Sequence, residues 1–328
     1  MKCKLTNKEI MPFMSFGKMP LANGFLSEND FGSEYFYEME VGFSEKLSLF
    51  QLNDHPQPKK MFNKKYPFYT GSSEFMKLHF KKYAEWLKKY FLNSNSNLIE
   101  IGSNDGTFLS NFSNSNINYV GFEPSKNVAK KAKENNINTI NNFFNLDNVG
   151  ELKKFINKTD VICASNVICH IPNLENLILA VDKLLSKKGF FIFEEPYMGA
   201  MFEKISYDQI YDEHIFMFSI NSVKKIFAQY DFDLVDVLPQ ITHGGSMRYV
   251  LSRKNENSIN QNVIKGLSLE NEKNLDNLNS CLMFKKNCEM SKDRITNKLN
   301  GFIKEGKKIC GYAATSKSTT ILNYCNID

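Results

Sequence analysis

Leu98–Phe112 reads LIEIGSNDGTFLSNF, and the fold is decided there. Its first half extends the apolar run NLIEI, which follows the polar break NSNSN, and such a run predicts a buried strand. Gly102, Asn104, Asp105 and Gly106 then turn the chain, and glycine at both bend positions lets the backbone approach a ligand closely.

Outward from that bend, strands and helices alternate. NYVGFE predicts a strand, PSKNVAKKAKENN a helix with Pro124 near its first turn, and DVICAS a strand. LENLILAVDKLLSKKG predicts an amphipathic helix closed by Gly189, FFIFEE a strand, and SINSVKKIFAQYD a helix. DLVDVLP and SMRYVLSRK are the last two strands. The QITHGG loop between them is too short for a crossover helix, so they are expected to pair antiparallel. The rhythm predicts an α/β fold, a mostly parallel sheet covered by helices on both faces. Upstream, residues 1 to about 80 carry Pro12, Pro20, Pro56, Pro58 and Pro67 and read as short strands and loops. SEFMKLHFKKYAEWLKKYF gives a helical face of Phe75, Leu78, Tyr83, Leu87 and Phe91. Downstream, residues 254–300 read as a helical connector, and KKICGYAATSKSTTILNYC as a fresh strand, glycine turn and helix.

The bulk numbers narrow the class. A chain of 328 residues with 42% hydrophobic content and 28 Phe can bury two or three domain cores. No apolar run approaches a membrane span, and MKCKLTNKEIMPF lacks the apolar middle of a secretory signal. The seven cysteines form no CxxC pair, which points to a reducing cytosol. The net charge is +5, but Lys is spread evenly among Asn, Asp and Glu, which suits an anionic small substrate better than nucleic acid.

The bend lacks the GxGxxG order of a dinucleotide site. Glu100, Gly102 and Gly106 form E-x-G-x-x-x-G, and Glu123 ends the next strand, where a carboxylate can accept both hydroxyls of a ribose. This is the S-adenosylmethionine pattern of class I methyltransferases. SNVICHIPN, after the following strand, has no Asn-Pro-Pro-aromatic tetrapeptide, which disfavours a nucleobase target. It brings Asn166 and His170 to the ligand edge, where His170 reads either as a site residue or as a capping or core imidazole. YDEHIFMFS, Tyr211–Ser219, leaves the same edge. His214 has an imidazole suited to proton abstraction, Glu213 can orient it or act itself, and Tyr211 can bind an enolate oxygen. Phe216, Met217 and Phe218 are then a dry wall or simply core. THGGSMR adds His243, Gly244, Gly245 and Arg248, the last a candidate for an anion, though double glycine also fits an ordinary hairpin turn. Tyr66 and Tyr69 of YPFYTGSS can cover the crevice or pack the domain junction.

These pieces, with FGKMPLANGF, EEPY and GYAATSKSTTILNYC, stand in one order along nearly the whole chain. Together they resemble the S-adenosylmethionine-dependent C-methyltransferases that act on nucleotide-linked keto-sugars. The resemblance implies an N-terminal domain over 1–75, a methyltransferase domain over 76–253, and a connector with the start of a C-terminal α/β unit over 254–328. It implies methyl transfer to a carbon beside a ketone, through an enolate. His214 is then the base, Tyr211 and Glu213 its cluster, and Tyr69 or Tyr66 the N-terminal active-site tyrosine. The bend residues Glu100, Gly102, Asn104, Asp105 and Gly106, with Glu123 and Asn166, would hold the cofactor. Tyr66, His170, His243, Gly244, Gly245 and Arg248 would face the sugar. The rival readings are an O-methyltransferase of the same fold and a non-catalytic remnant.

The chain departs from this family twice. Cys3 stands alone where the N-terminal domain usually holds zinc through four cysteines, with Thr6 and the segment VGFSEKLSLFQL offering none, so no structural zinc is expected. Relatives also continue well past Asp328, so residues 305–328 are expected to be loose or to pack on a neighbour.

Overall fold

The computed structural model describes residues 1–312 and 315–327. An N-terminal segment supplies β1 (Met11–Pro20), β2 (Phe36–Ser44), β3 (Leu49–Leu52) and the short α1 (Pro58–Met61). Then come α2 (Glu74–Tyr90), β4 (Asn97–Ile101), β5 (Asn118–Phe122), α3 (Lys126–Glu134), β6 (Thr139–Ile140) and β7 (Thr159–Ser165). After them follow α4 (Leu174–Leu184), β8 (Leu185–Pro196), α5 (Met198–Lys204), β9 (Phe216–Met217), α6 (Ile220–Phe227), β10 (Phe232–Gln240) and β11 (Ser246–Arg253). The remaining helices are α7 (Gln261–Glu272), α8 (Leu278–Lys304) and α9 (Ser316–Cys325).

Among the described residues the larger sheet has seven strands in the order β10-β11-β8-β7-β4-β5-β6. β4 pairs parallel with β5 on one side and β7 on the other. The chain therefore changes direction across the sheet at β4, and such a switch point leaves a crevice beyond the strand carboxyl ends. β11 runs antiparallel to both β8 and β10. The short connection before it predicts that reversal, and the whole is the class I methyltransferase architecture expected from LIEIGSNDGTFLSNF.

Local chemistry sets the element ends. Ser73 caps α2 by accepting from the Met76 amide, and Asn173 caps α4 by accepting from Asn176. Ser219 and Ser222 form a reciprocal capping box on α6, which fixes where the chain leaves YDEHIFMFS. α2 buries Phe80, Tyr83, Ala84 and Leu87, spaced three and four apart, over the sheet. Phe75 and Leu78, expected on that face, are half exposed. Gly189 does not close α4. That helix ends at Leu184 and Leu185 already begins β8, so Gly189 lies inside a strand, where an added Cβ would meet the Thr159 carbonyl.

The N-terminal region is more regular than its prolines suggest. β1, β2 and β3 form an antiparallel sheet, and β9 adds a fourth strand, with Phe50 opposite Met217 and Gln51 opposite Phe216. The segment just after YDEH is thus a strand of the N-terminal sheet, and YDEH turns between two sheets. Gln51 clamps the start of the chain. Its Oε1 accepts from the Lys4 amide at 2.9 Å and its Nε2 donates to the Lys2 carbonyl at 3.0 Å, around a buried Cys3.

The C-terminal segment corrects two expectations. Residues 307–312 carry no strand, and Ala313 and Ala314 of the expected glycine turn lie outside the described residues. Nor is the last helix loose or unpartnered within the chain. Tyr324 and Cys325 of α9 join Phe16, Met39 and Phe50 in the N-terminal core, along with Phe284 of α8, which stacks on Phe202 at 4.4 Å.

Candidate active site

A cavity of about 1080 Å3 opens at the carboxyl edge of β4, β5 and β7, under residues of the N-terminal region. Its volume exceeds what one ligand of ordinary size requires, roughly 300–1,000 Å3. Two sets of expected residues meet on its wall. Gly102, Asn104, Glu123 and Asn166 come from the sheet edge, and Tyr211, Glu213 and His214 from the turn between the sheets.

The sheet-edge set fits a nucleoside cofactor. Gly102 has a φ of +69°, and a Cβ there would collide with the Val167 side chain. Glu123 accepts from the Asn104 amide at 3.1 Å and the Ser125 amide at 2.7 Å, which aims its carboxylate while leaving lone pairs for a ribose. Burial raises its pKa, opposed by those hydrogen bonds. Asn166 Oδ1 is buried without a partner, while its Nδ2 donates to His243 Nε2 at 2.9 Å.

Three bend residues sit behind this wall rather than on it. Glu100 is a buried carboxyl with an unpartnered Oε2, held well above the usual carboxylate range by burial and by Asp105 and Glu123. Asp105 accepts from the Gly71 amide at 2.8 Å and from Thr107 Oγ1 at 2.6 Å, so it ties down the TGSS loop. Gly106, at φ +80°, makes room for Ile137, 2.7 Å from where its Cβ would be.

The turn set is tightly wired. His214 Nδ1 donates to the Gln209 carbonyl at 2.7 Å, which fixes the tautomer and leaves Nε2 to accept from the Tyr211 hydroxyl at 3.0 Å. Burial, then His170 and Lys317, hold this imidazole well below the ordinary histidine range, so it is neutral. Glu213 accepts from Asn23 Nδ2 at 2.6 Å and from the Tyr66 hydroxyl at 3.4 Å. Burial and the neighbouring Asp212 push its carboxyl up to about 7. His170 stacks between Phe62 and His214, at 5.6 Å and 5.3 Å, with Nε2 buried and unpartnered, and burial brings its pKa down to about 3. It lines the cavity.

Other expected site residues are elsewhere. Tyr66 reaches Glu213, whereas Tyr69 is off the cavity wall and accepts from Asn127 at 2.8 Å. Arg248 does not face an anion site. It is buried, bonds Glu194 through Nε at 2.6 Å, and stacks over Tyr83 at 3.8 Å. Burial pushes the Glu194 carboxyl up, but His79 and Arg248 outweigh it and hold it down. Gly244 and Gly245 line a separate small pocket beside Pro196 and Tyr197, while His243, in the left-handed region at φ +50°, reaches the main cavity.

Residues the sequence reading did not assign also line the cavity: Asn23, Phe62, the run Phe143–Asn145, and Lys317. Asn23 lies in FGKMPLANGF and Lys317 in GYAATSK, both quoted above, but nothing in their spacing shows that the chain folds back to bring them here.

Three family models match the chain: "Methyltransferase domain" over residues 75–237, "C-methyltransferase C-terminal domain" over 241–328, and "Putative zinc binding domain" over 3–62. The chain is 25% identical over 317 residues to the C-methyltransferase NovU of Streptomyces niveus, covering 96% of this chain and 75% of that one. Among solved structures, the PH0226 protein of Pyrococcus horikoshii OT3 superposes with a TM-score of 0.44 at 15% identity, over 61% of this chain and 100% of that one. Magnesium protoporphyrin IX methyltransferase of Synechocystis PCC 6803 superposes with a TM-score of 0.41 at 13% identity, over 54% and 79%. No described helix is long and apolar enough to cross a membrane.

Proposed function

Since the chain is an S-adenosylmethionine-dependent methyltransferase of the C-methyltransferase family, we propose that it methylates a carbon beside the ketone of a nucleotide-linked keto-sugar. The observation that carries this reading is Glu213. Its carboxyl, pushed up to about 7, stands on the wall of the cavity that also holds Gly102 and Glu123. A carbon acid needs a base whose proton affinity matches the working pH, and Glu213 has it. S-Adenosylmethionine, when bound by Gly102, Asn104, Glu123 and Asn166, supplies the methyl group as an electrophilic sulfonium. The chain's own task is to make and hold a carbon nucleophile.

In this reading Glu213 takes the α proton, and the C–H electron pair moves into the new C=C bond while the carbonyl pair moves onto oxygen. Tyr211 is the nearby hydroxyl that can turn from His214 Nε2 to that developing oxygen. His214 aims Tyr211. The resemblance gives His214 the base role, but its Nε2 is engaged and its proton affinity is depressed, so Glu213 is the stronger candidate. Tyr66 and Asn23, both hydrogen-bonded to Glu213, hold the carboxylate toward the cavity. Methyl transfer to carbon rather than oxygen is favoured by the C-methyltransferase match over 241–328. The cavity volume of about 1080 Å3 suits two ligands together.

The direct test is mass spectrometry of the protein incubated with S-adenosylmethionine and a panel of thymidine- and guanosine-diphosphate 4-keto-sugars. A product heavier by one CH2, with the methyl on carbon, is expected. Methylation of a hydroxyl, or of no panel member, would overturn the reading.

A further inference from the structure

We propose that Cys169, His170 and His214 form a site for one thiophilic divalent cation of the zinc class, on the wall of the main cavity.

Among the described residues these are the one group of three metal-ligating side chains whose donor atoms all lie within 4.8 Å of one another. The set lies apart from the N-terminal segment 3–62, the part matched by "Putative zinc binding domain". A thiolate with two imidazoles selects zinc-like ions over calcium or magnesium, which take oxygen ligands. Donor atoms around a tetrahedral zinc stand about 3.4–3.6 Å apart, so the three side chains need to draw in by roughly an ångström.

The donors have lone pairs to give. His170 Nε2 is buried without a hydrogen-bond partner. His214 Nδ1 donates to the Gln209 carbonyl, so Nε2 carries the lone pair and has only the Tyr211 hydroxyl, at 3.0 Å, to give up. The Cys169 thiol is buried beside them. Its proton leaves for solvent as the cation binds, so that thiol and cation become metal thiolate and H⁺.

The backbone holds the set in place. Cys169 and His170 stand on the single turn Ile168–His170. Glu195 clamps the entry to that turn, its Oε1 accepting from the Val167 amide at 3.0 Å and the Ile168 amide at 2.6 Å. The Cys169 carbonyl accepts from the Ile215 amide at 2.9 Å, which joins the turn to the one carrying His214. Phe62 stacks on His170 at 5.6 Å. His170 and His214 line the cavity, so a cation enters from there and keeps a fourth position open to it, the arrangement of an exchangeable rather than a sealed site. Once bound, the cation holds the His214 nitrogen that otherwise receives Tyr211. On the function proposed above, Tyr211 then loses its guide, and the loaded protein is the inactive form.

The experiment is titration of cobalt(II), a spectroscopic stand-in for zinc, into wild type, Cys169→Ala, His170→Gln and Cys310→Ser, the last controlling for the exposed thiol. S-Adenosylhomocysteine binding reports an intact fold in each. Wild type and Cys310→Ser should bind one cobalt per chain with a near-ultraviolet thiolate-to-metal band, which zinc removes and magnesium does not. Cys169→Ala should show no band, and His170→Gln should bind cobalt more weakly by at least about tenfold, the loss that even an outer partner causes. No band in wild type, or the same band in Cys169→Ala, would overturn the site. Methyl transfer undiminished by saturating zinc would overturn the inactive form. If metal-free protein methylates no keto-sugar, the substrate reading fails while the cobalt band still judges the metal site.

Discussion

Asn23 Nδ2 donates to Glu213 Oε1 at 2.6 Å, joining residues 190 positions apart in the sequence. The N-terminal segment thus reaches the cavity to hold a carboxylate of the turn Tyr211–His214. Asp212, the next residue, is held from the same side by the Ala22 amide. Those two bonds bring the loop after β1 onto the wall of the candidate site.

Glu213→Gln keeps the shape and loses the basic oxygen. Turnover should fall by about 10²–10⁴, the usual contribution of a general base, while cofactor affinity is unchanged. The carboxylate must be ionised to accept a proton, and its pKa is raised to about 7. The kcat/KM of wild type should therefore decline as pH falls through about 7, and a flat profile from pH 5 to 8 would move the base role to another group.

His214→Ala and Tyr211→Phe should both leave S-adenosylmethionine affinity intact, because their hydrogen bonds run to each other and to the Gln209 carbonyl rather than to the Gly102–Glu123 edge. If Tyr211 binds the enolate oxygen, Tyr211→Phe should cost about 10²–10³ in kcat, the range for removing one such donor. A His214→Ala loss well above that of Glu213→Gln, measured by single-turnover kinetics, would restore the imidazole as base.

Gly102→Leu should abolish cofactor binding. The residue has positive φ, and the new side chain would strike Val167 and enter the cavity. Equilibrium dialysis with S-adenosylmethionine checks this, and unaltered affinity would displace the cofactor from the bend.

Arg248 separates two readings of one residue. As the buried partner of Glu194, its replacement by Ala should lower stability by about 3–5 kcal/mol, because a carboxylate is left buried and under-compensated. Denaturant unfolding of Arg248→Ala reports that loss. A substrate-binding arginine would instead raise KM with the unfolding midpoint unmoved.

Sequence pattern revealed the sheet because it is built from local periodicity. The buried runs NLIEI and FFIFEE and the short QITHGG connection each specify one element without help from distant residues. The glycine bend and Glu123 were legible for the same reason, since a positive φ and a strand-end acid are local demands. What could not be read were contacts made only by folding. Arg248 looks free in THGGSMR, yet α2 brings Tyr83, Trp86 and His79 to enclose it with Glu194. Tyr69 and Tyr66 are equivalent in sequence, and their different partners, Asn127 and Glu213, arise from how that loop crosses the cavity rim. Residues 307–312 carry no strand, whereas α9 packs into the N-terminal core through contacts that only folding makes.

The most direct measurement of the central claim is solvent hydrogen exchange at carbon. A thymidine-diphosphate 4-keto-sugar is incubated in D2O with the protein and S-adenosylhomocysteine, so that no methyl can move. Wild type should place deuterium on the carbon beside the ketone, and Glu213→Gln should not. Wild type that methylates a sugar yet exchanges no such hydrogen, or Glu213→Gln that exchanges it at the wild-type rate, would contradict the account.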